Sequence, residues 1–362
     1  MQAIPLPANA RAVLAAIDAA RNLHELVAAA RGIPQMARES LGGGAAVPAT
    51  TRVISLLNDR VTERVVMRLA AELSLDLSRA CWLEFGSQGR LEQTLVTDQD
   101  NGLVFMPGDD AARGPDAQRA RWLELGHRAN LELDACGYAL CRGGVMAGVA
   151  QCCMTVAEWC ARFDHWMDHG APRDLLSASI YFDLRALTGR QALVAEMQRH
   201  IRERARALPR FLKQMADNAL RNAAALNWFG AIHSITVDGR EIFDLKLHGT
   251  MVYADAARPY ALAYGVAETG TAERLAALAP LMHVPEHEAQ EWLHGFDVLQ
   301  GLRMKAQIRA AEVAAAEPHS NSNANPNAIA LGDLSDEEIE QLKLALRAAR
   351  LLQQRIELDY RR

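Results

Sequence analysis

The sequence lacks the features that would place the chain in or across a membrane. None of its apolar runs reaches the ~18 residues that a membrane-spanning helix requires. The first residues, MQAIPLPANARAVLAAIDAARNL, have no basic segment ahead of their apolar part, and Asp18 interrupts that part, so a signal peptide is not predicted. We therefore expect a cytoplasmic protein with no membrane partner.

An excess of basic residues and the cysteine pairs of a structural zinc site are also missing. The chain has 39 Lys and Arg against 44 Asp and Glu, a formal net charge of −5, which argues against nucleic acid as the main partner. None of the six cysteines forms a Cys-x-x-Cys pair. Reduced, buried thiols are the interpretation that we favour over zinc.

Helical periodicity is present at both ends of the chain. Residues up to about 75 are expected to form two helices separated by LGGGAAVPAT. The second of these repeats an apolar residue every four positions and is interpreted as a packing helix without chemistry (Val53, Leu57, Val61, Val65, Leu69 and Leu73). From about residue 191 helical patterns return. They are interrupted by EPHSNSNANPN, an expected loop, and Ser335 with Glu338 forms a capping box that opens a last helix.

Between these regions, short apolar runs alternate with helical patterns. CWLEF and DQDNGLVF predict two strands, with the turn GSQGR and a short helix through LEQTL between them. Residues 116–135 have helical spacing, and GYALC and ASIYFDLRAL predict further strands. The alternation predicts an α/β domain. We therefore expect three parts: an N-terminal helical region (1–75), an α/β domain (76–190) and a C-terminal helical domain (191–362).

The candidate chemistry lies in the stretch FGSQGRLEQTLVTDQDNGLVF. In a strand, Asp98 and Asp100 point to one face and Gln99 to the other, so two carboxylates form an oxygen-rich site for a hard cation such as Mg²⁺. Upstream, Gly86 and Ser87 lie where a strand ends and a helix begins, a place where backbone N–H groups favour phosphate. Arg90 can bind phosphate oxygens bidentately. This combination is typical of metal-assisted phosphoryl or nucleotidyl transfer.

The pattern G-S-x-G-R-x-E followed by T-D-x-D-N resembles the nucleotidyltransferases of the DNA polymerase beta superfamily. Most closely, it resembles the signal-transduction nucleotidyltransferases related to the uridylyltransferase of nitrogen-regulatory PII proteins. The similarity continues through GYALCRGGVMA, SIYFDLRALTG, NALRNAAALNWFG and DLKLHGTMVYADAARPYALAYGV. Leu91 departs from the pattern, since relatives commonly have glycine there. The resemblance implies a small mixed-sheet, polymerase beta-like domain flanked by an N-terminal helical region and a C-terminal helical bundle that contributes to substrate binding.

The resemblance also implies roles for individual residues. Asp98 and Asp100 would hold two Mg²⁺ or Mn²⁺ ions, and Asp183 in SIYFDLRALTG would be the third carboxylate, which would hold one of these ions and help to deprotonate the acceptor. The alternative for Asp183 is an ion pair with Arg185. The nucleotide would be bound by five residues: Gly86, Ser87, Gly89, Arg90 and Lys246. For Lys246 and Arg185, an exposed surface charge is the alternative.

The implied activity is transfer of a nucleoside monophosphate from an NTP to a hydroxyl of a protein or small-molecule acceptor, with release of pyrophosphate, in signalling or regulation. A catalytically silent nucleotide-binding regulatory module is the alternative. A nucleic-acid polymerase or tRNA-tailing enzyme shares the motif, but the acidic balance argues against it. The His-Asp dipeptide of the hydrolase domain in bifunctional uridylyltransferases is absent from the sequence. The sequence does not determine whether the protein forms a homo-oligomer.

Overall fold

The computed structural model describes residues 6–107, 115–171, 175, 178–226, 230–316 and 325–360. It divides into two compact units, the first comprising Met1–Trp166 and Ile180–Ile201 and the second comprising Met167–Ser179 and Arg202–Arg362. The described residues include no helix that is both long and apolar enough to cross a membrane. Residues 317–324 of the expected loop lie outside the described residues, and the three-part division of the chain stays a prediction.

The described N-terminal residues, from 6 to 75, form four helices, not the two expected: α1 (Ala8–Ala19), α2 (Leu23–Ala30), α3 (Gly32–Gly42) and α4 (Val47–Glu72). The first pattern is divided because the Asn22 side chain accepts a hydrogen bond from the backbone N of Glu25 at 3.0 Å. An asparagine in this position caps a new helix start. The LGGG segment does separate helices, and the predicted apolar stripe of α4 is buried from Val53 to Leu69.

A four-stranded mixed sheet forms the centre of the first unit. Its strands are β1 (Ala80–Glu84), β2 (Asn101–Phe105), β3 (Cys153–Thr155) and β4 (Arg185–Gly189). The order is β3-β2-β1-β4, with β1 antiparallel to β2 and β4, and β2 parallel to β3. All five residues of β1 are buried. Helix α6 (Pro115–Ala135) packs beside α4 and buries its predicted face, and helix α7 (Val156–His169) follows β3.

Three details of this unit differ from the sequence-based expectation. The prediction of a short helix through LEQTL is wrong, because the helix in this part of the chain, α5, forms earlier, in Gly86–Gly89. It ends where Leu91 takes a φ of 57°, a left-handed conformation that stops a helix. GYALC contributes a single bridge between Asp98 and Ala139 in place of a strand. In ASIYFDLRAL, Ser179–Phe182 forms a 3₁₀ turn, and β4 begins after it.

The second unit is mainly helical, as expected. Helix α8 (Gln191–Arg206) belongs to the first unit as far as Ile201 and to the second unit from Arg202. The second unit continues with α9 (Pro209–Ala219), α10 (Met251–Tyr264), α11 (Thr271–Leu281), α12 (Glu286–Ala316) and α13 (Asp336–Tyr360). Ser335 and Glu338 form the predicted capping box, with bonds of 2.9 and 3.2 Å. The sequence did not predict a small antiparallel sheet, ordered β5 (Ile235–Val237), β6 (Arg240–Asp244) and β7 (Ala328–Ala330). The fold class is therefore confirmed: a small mixed-sheet α/β domain with helical regions on either side in sequence.

Candidate active site

One edge of the four-stranded sheet brings together the segments that carry the predicted site. Glu84, the last residue of β1, pairs with Asn101, the first residue of β2, and with Arg185, the first residue of β4. The segments before β2 and β4 and the segment after β1 therefore meet at this edge. They contain the predicted site residues other than Lys246: Asp98, Asp100, Asp183, Gly86, Ser87, Gly89 and Arg90.

Asp98 and Asp100 lie in the extended segment that leads into β2. Asp98 is exposed, Gln99 is fully buried and Asp100 is half-buried, so the side chains alternate as they do along a strand. The Gln99 amide donates to the carbonyl oxygens of Asn130 at 2.9 Å and Tyr138 at 2.8 Å. Because these bonds hold Gln99 in the interior, the two aspartates are turned to the other side.

A network of buried amides supports this segment. Asn130 Nδ2 donates to Gln99 Oε1 at 2.8 Å and to Asn101 Oδ1 at 2.9 Å. Asn101 Oδ1 also accepts from the backbone N of Ala147, and Asn130 Oδ1 accepts from that of Gly148, both at 2.9 Å. We call Gln99, Asn101 and Asn130 the amide network. Nothing in the sequence alone indicates this network, although two of its members, Gln99 and Asn101, stand next to the aspartates in DQDN.

Asp100 is fixed by contacts with two other segments, the end of β1 with the α5 turn, and the loop that contains Cys141. Its backbone N donates to Gln88 Oε1 at 2.7 Å, and its carbonyl accepts from the backbone N of Phe85 at 2.8 Å. Its Oδ1 accepts from Cys141 Sγ at 3.3 Å. Burial and then the negative charge of Asp100 raise the pKa of Cys141, so this thiol keeps the proton that it donates. The carboxylate is therefore held in one orientation, with Oδ2 facing the α5 turn.

The α5 turn contacts both carboxylate segments closely enough to require glycine at two positions. Gly86 has a φ of 54°, and a Cβ there would lie 2.9 Å from Ile180 Cγ1 and 3.1 Å from Asp100 Oδ2. A Cβ on Gly89 would lie 1.9 Å from the carbonyl oxygen of Asp183. Ser87, between them, is half-buried. The backbone of the turn thus lies directly against Asp100.

Asp183 is fully buried and is paired with Arg90. Its Oδ2 accepts from Arg90 Nη1 at 2.6 Å, and Arg90 Nε donates to Glu92 Oε2 at 2.7 Å. The alternative partner considered from the sequence, Arg185, instead donates to Asp59 Oδ1 at 2.7 Å. Asp183 precedes β4, which is separated from β2 by β1.

Within the described residues, no three His, Cys, Asp or Glu side chains are grouped closely enough to hold a metal ion. Asp98 and Asp100 nevertheless suit a hard cation, since Mg²⁺ is commonly bound by one or two carboxylates together with waters and substrate phosphates. Asp183, engaged by Arg90, does not join them in this structure. Of the three predicted metal ligands, Asp98 and Asp100 are therefore the two whose arrangement suits a divalent cation.

Glu84 is a buried carboxyl group that was not among the predicted site residues. Trp82 Nε1 donates to its Oε1 at 3.1 Å, and Oε2 has no hydrogen-bond partner among the described atoms. Burial, followed by the negative charge of Asp59, raises the pKa of Glu84 well above its usual range. The environment of Glu84 therefore favours its protonated form. In the sequence, CWLEF shows only the apolar pattern of a strand and gives no sign of a buried acid.

Lys246 lies in the second unit. It begins the π-helical turn Lys246–Thr250 after β6, where its backbone N donates to Asp244 Oδ1 at 2.9 Å. Its proposed contact with the nucleotide stays a prediction.

Comparison with known proteins supports the nucleotidyltransferase interpretation. No curated protein matches the chain. Residues 31–173 match the family model described as "Putative nucleotidyltransferase DUF294", and residues 209–360 match the model described as "Putative nucleotidyltransferase substrate binding domain". The two models together cover most of the chain and are consistent with a relation to the PII uridylyltransferase. The chain therefore belongs to the DUF294 family of nucleotidyltransferases, and its C-terminal part matches the model of the substrate-binding domain.

Proposed function

We propose that the protein transfers a nucleoside monophosphate from an NTP to a hydroxyl group of a protein or small-molecule acceptor, as part of signalling or regulation. The observation that carries this proposal is the contact between the α5 turn and Asp100. A Cβ on Gly86 would lie 3.1 Å from Asp100 Oδ2. A glycine backbone directly beside a carboxylate pair suits a substrate that brings phosphate and a cation together.

In the proposed reaction, the acceptor oxygen forms a bond to the α-phosphorus of the NTP. The bond from that phosphorus to the bridging oxygen of the β-phosphate breaks, pyrophosphate leaves, and the acceptor proton passes to a base. Asp98 and Asp100 would hold the divalent cation, Mg²⁺ or Mn²⁺, with two ions as the family resemblance implies. When bound, such ions stabilise charge on the attacking and leaving oxygens.

Arg90 and Asp183 acquire linked roles in this proposal. The triphosphate would be bound by the backbone of the turn at Gly86, Ser87 and Gly89. It would also be bound by the guanidinium group of Arg90. Arg90 already lies 2.6 Å from Asp183 Oδ2. A triphosphate carries more charge than one carboxylate, so it would draw Arg90 away and release Asp183 to accept the proton. Lys246 is proposed as a further phosphate contact.

A catalytically silent nucleotide-binding module is the second candidate. It is favoured by the burial of Asp183 and its pairing with Arg90, since a nucleotide sensor needs no free base. In that case the same turn would bind the NTP, and binding would alter the protein without any bond being broken.

A labelling experiment distinguishes the two candidates. The protein is incubated with each α-labelled NTP, with Mg²⁺ or Mn²⁺ and with lysate from the source organism, beside an Asp98→Asn/Asp100→Asn variant. Label on a protein band, or on a small molecule separated by chromatography, identifies the acceptor class if the variant abolishes it. Saturable NTP binding with no label transferred by the wild type contradicts the transferase and supports the silent module.

A further inference from the structure

Helix α4 has a buried polar face in addition to its apolar stripe. Its members recur at helical spacing, and each is buried or nearly so: Thr51, Ser55, Asn58, Asp59 and Thr62. Ser55 Oγ accepts from the backbone N of Gln93 at 3.2 Å, and Asn58 Oδ1 accepts from the Tyr138 hydroxyl at 2.9 Å. Burying polar groups is costly unless they are hydrogen-bonded, so these bonds fix how α4 meets the segments around the site.

Asp59 begins a chain of hydrogen bonds that ends at Asp100. Asp59 Oδ1 accepts from Arg185 Nη2 at 2.7 Å, and the same nitrogen donates to the carbonyl oxygen of Gln88 at 3.0 Å. The Gln88 side chain then accepts from the backbone N of Asp100 at 2.7 Å. Gln88 of the α5 turn is thus held by its backbone carbonyl, which Arg185 contacts, and by its side-chain amide oxygen, which Asp100 contacts.

We propose that Asp59 is a positioning residue for the nucleotide-binding turn. It orients Arg185, which holds the Gln88 carbonyl and with it the α5 turn beside Asp100. This inference rests on the proposed function for the identity of the ligand. It gives the N-terminal helix α4 a role in the site, beyond the packing role that its apolar stripe predicted.

The turn needs such support because it is short. An isolated helix of four residues has too few internal hydrogen bonds to be stable, so its geometry depends on bonds from outside. Arg185 supplies one of them, from a side chain that is 19% exposed, and Asp59, which is 13% exposed, supplies the charge that makes a buried guanidinium tolerable. The Arg185 Nε has no hydrogen-bond partner among the described atoms, so Nη2 carries its contacts with both Asp59 and Gln88.

The test uses amide hydrogen exchange, which does not depend on turnover. The amides of Gly89, Arg90 and Glu92 close the turn and report on it, and the amides of α6 serve as the internal reference. In Asp59→Asn, we expect the turn amides to exchange about tenfold faster relative to α6, the scale of losing one charged hydrogen bond. The dissociation constant for NTP should rise by about the same factor.

Two further variants keep the test decisive. Arg185→Gln removes the buried cation itself and should loosen the turn to the same extent, including where Asp59→Asn folds poorly. Val61→Ala, in the apolar stripe of α4, controls for general destabilisation and should leave the turn-to-α6 exchange ratio unchanged. A ratio that stays at the wild-type value in both Asp59→Asn and Arg185→Gln overturns the inference. A wild type that transfers no nucleotide contradicts the proposed function alone, because the exchange ratio still decides the role of Asp59.

Discussion

Replacing Gly86 with alanine tests the contact between the α5 turn and Asp100 with the smallest possible change. The new methyl group would lie 2.9 and 3.0 Å from Ile180 Cγ1 and Cδ1, and 3.1 Å from Asp100 Oδ2. Since Cβ atoms do not approach carbon that closely, Ile180, Asp100 or the turn itself must move by a few tenths of an ångström.

The size of the effect follows from two contributions. Holding alanine at the φ of 54° observed for Gly86 costs about 1 kcal/mol, and forcing a methyl group into a filled space costs about 1–3 kcal/mol. We therefore expect a loss of about 2–4 kcal/mol of stability in the first unit. Displacing Asp100 should also reduce the rate of transfer, with about 10²-fold as the upper limit, because that is the loss for a misplacement of about 1 Å and the expected shift is smaller.

Gly44→Ala is the matched control. Gly44 has a φ of 81°, and a Cβ there would meet nothing within 4 Å. It should show the cost of the backbone conformation alone, about 1 kcal/mol, with transfer unchanged. The assay is the rate of label transfer from NTP at saturating cation, with thermal melting to confirm folding. If Gly86→Ala transfers label as well as Gly44→Ala does, the turn does not carry the nucleotide and the reasoning fails.

Three other substitutions test separate parts of the site. Asp183→Asn keeps the shape of the side chain but removes its charge; label transfer should fall by at least ~10², the scale of a lost general base, while NTP binding is kept because Arg90 is released. Unchanged transfer would remove Asp183 from the catalytic set. Leu91→Gly should raise the melting temperature, because a leucine at a φ of 57° is strained by about 1 kcal/mol; a lower melting temperature would show that the leucine side chain outweighs this strain. Glu84→Gln tests the buried acid. Its folded pKa is raised above the unfolded value, so its stabilising effect is complete below about pH 4.5 and is lost as the pH rises toward the folded pKa. Because glutamine cannot ionise, the melting temperature of the variant should increase relative to that of the wild type as the pH rises. Melting temperatures that change with pH in the same way in both proteins would contradict this.

The parts of the site that depend on local periodicity could be predicted from the sequence. The alternation of Asp98, Gln99 and Asp100 needs only an extended backbone, and the capping box at Ser335 needs only the first turn of a helix. The helix α6 was predictable for the same reason, because its buried face repeats at helical spacing.

The parts that depend on distant partners could not be predicted. Arg90 and Asp183 are 93 positions apart, and Arg185 and Asp59 are 126 apart, so no local pattern pairs them. The polar face of α4 was missed because the apolar stripe on the same helix gives a stronger signal. The predicted helix through LEQTL lies too late in the sequence because the true start and end of α5 depend on the left-handed backbone of Gly86 and Leu91, which hydrophobic periodicity does not reveal.

The amide network has a consequence for how this site can change in evolution. Gln99, Asn101 and Asn130 satisfy one another and two backbone N–H groups, so replacing any one of them leaves buried donors or acceptors without partners. Such a replacement is tolerated only together with a compensating change in the other two, which makes the three positions strongly epistatic. Replacing the exposed Asp98 would leave no buried group of the amide network without a partner, so this packing constraint falls on the three amides as a group.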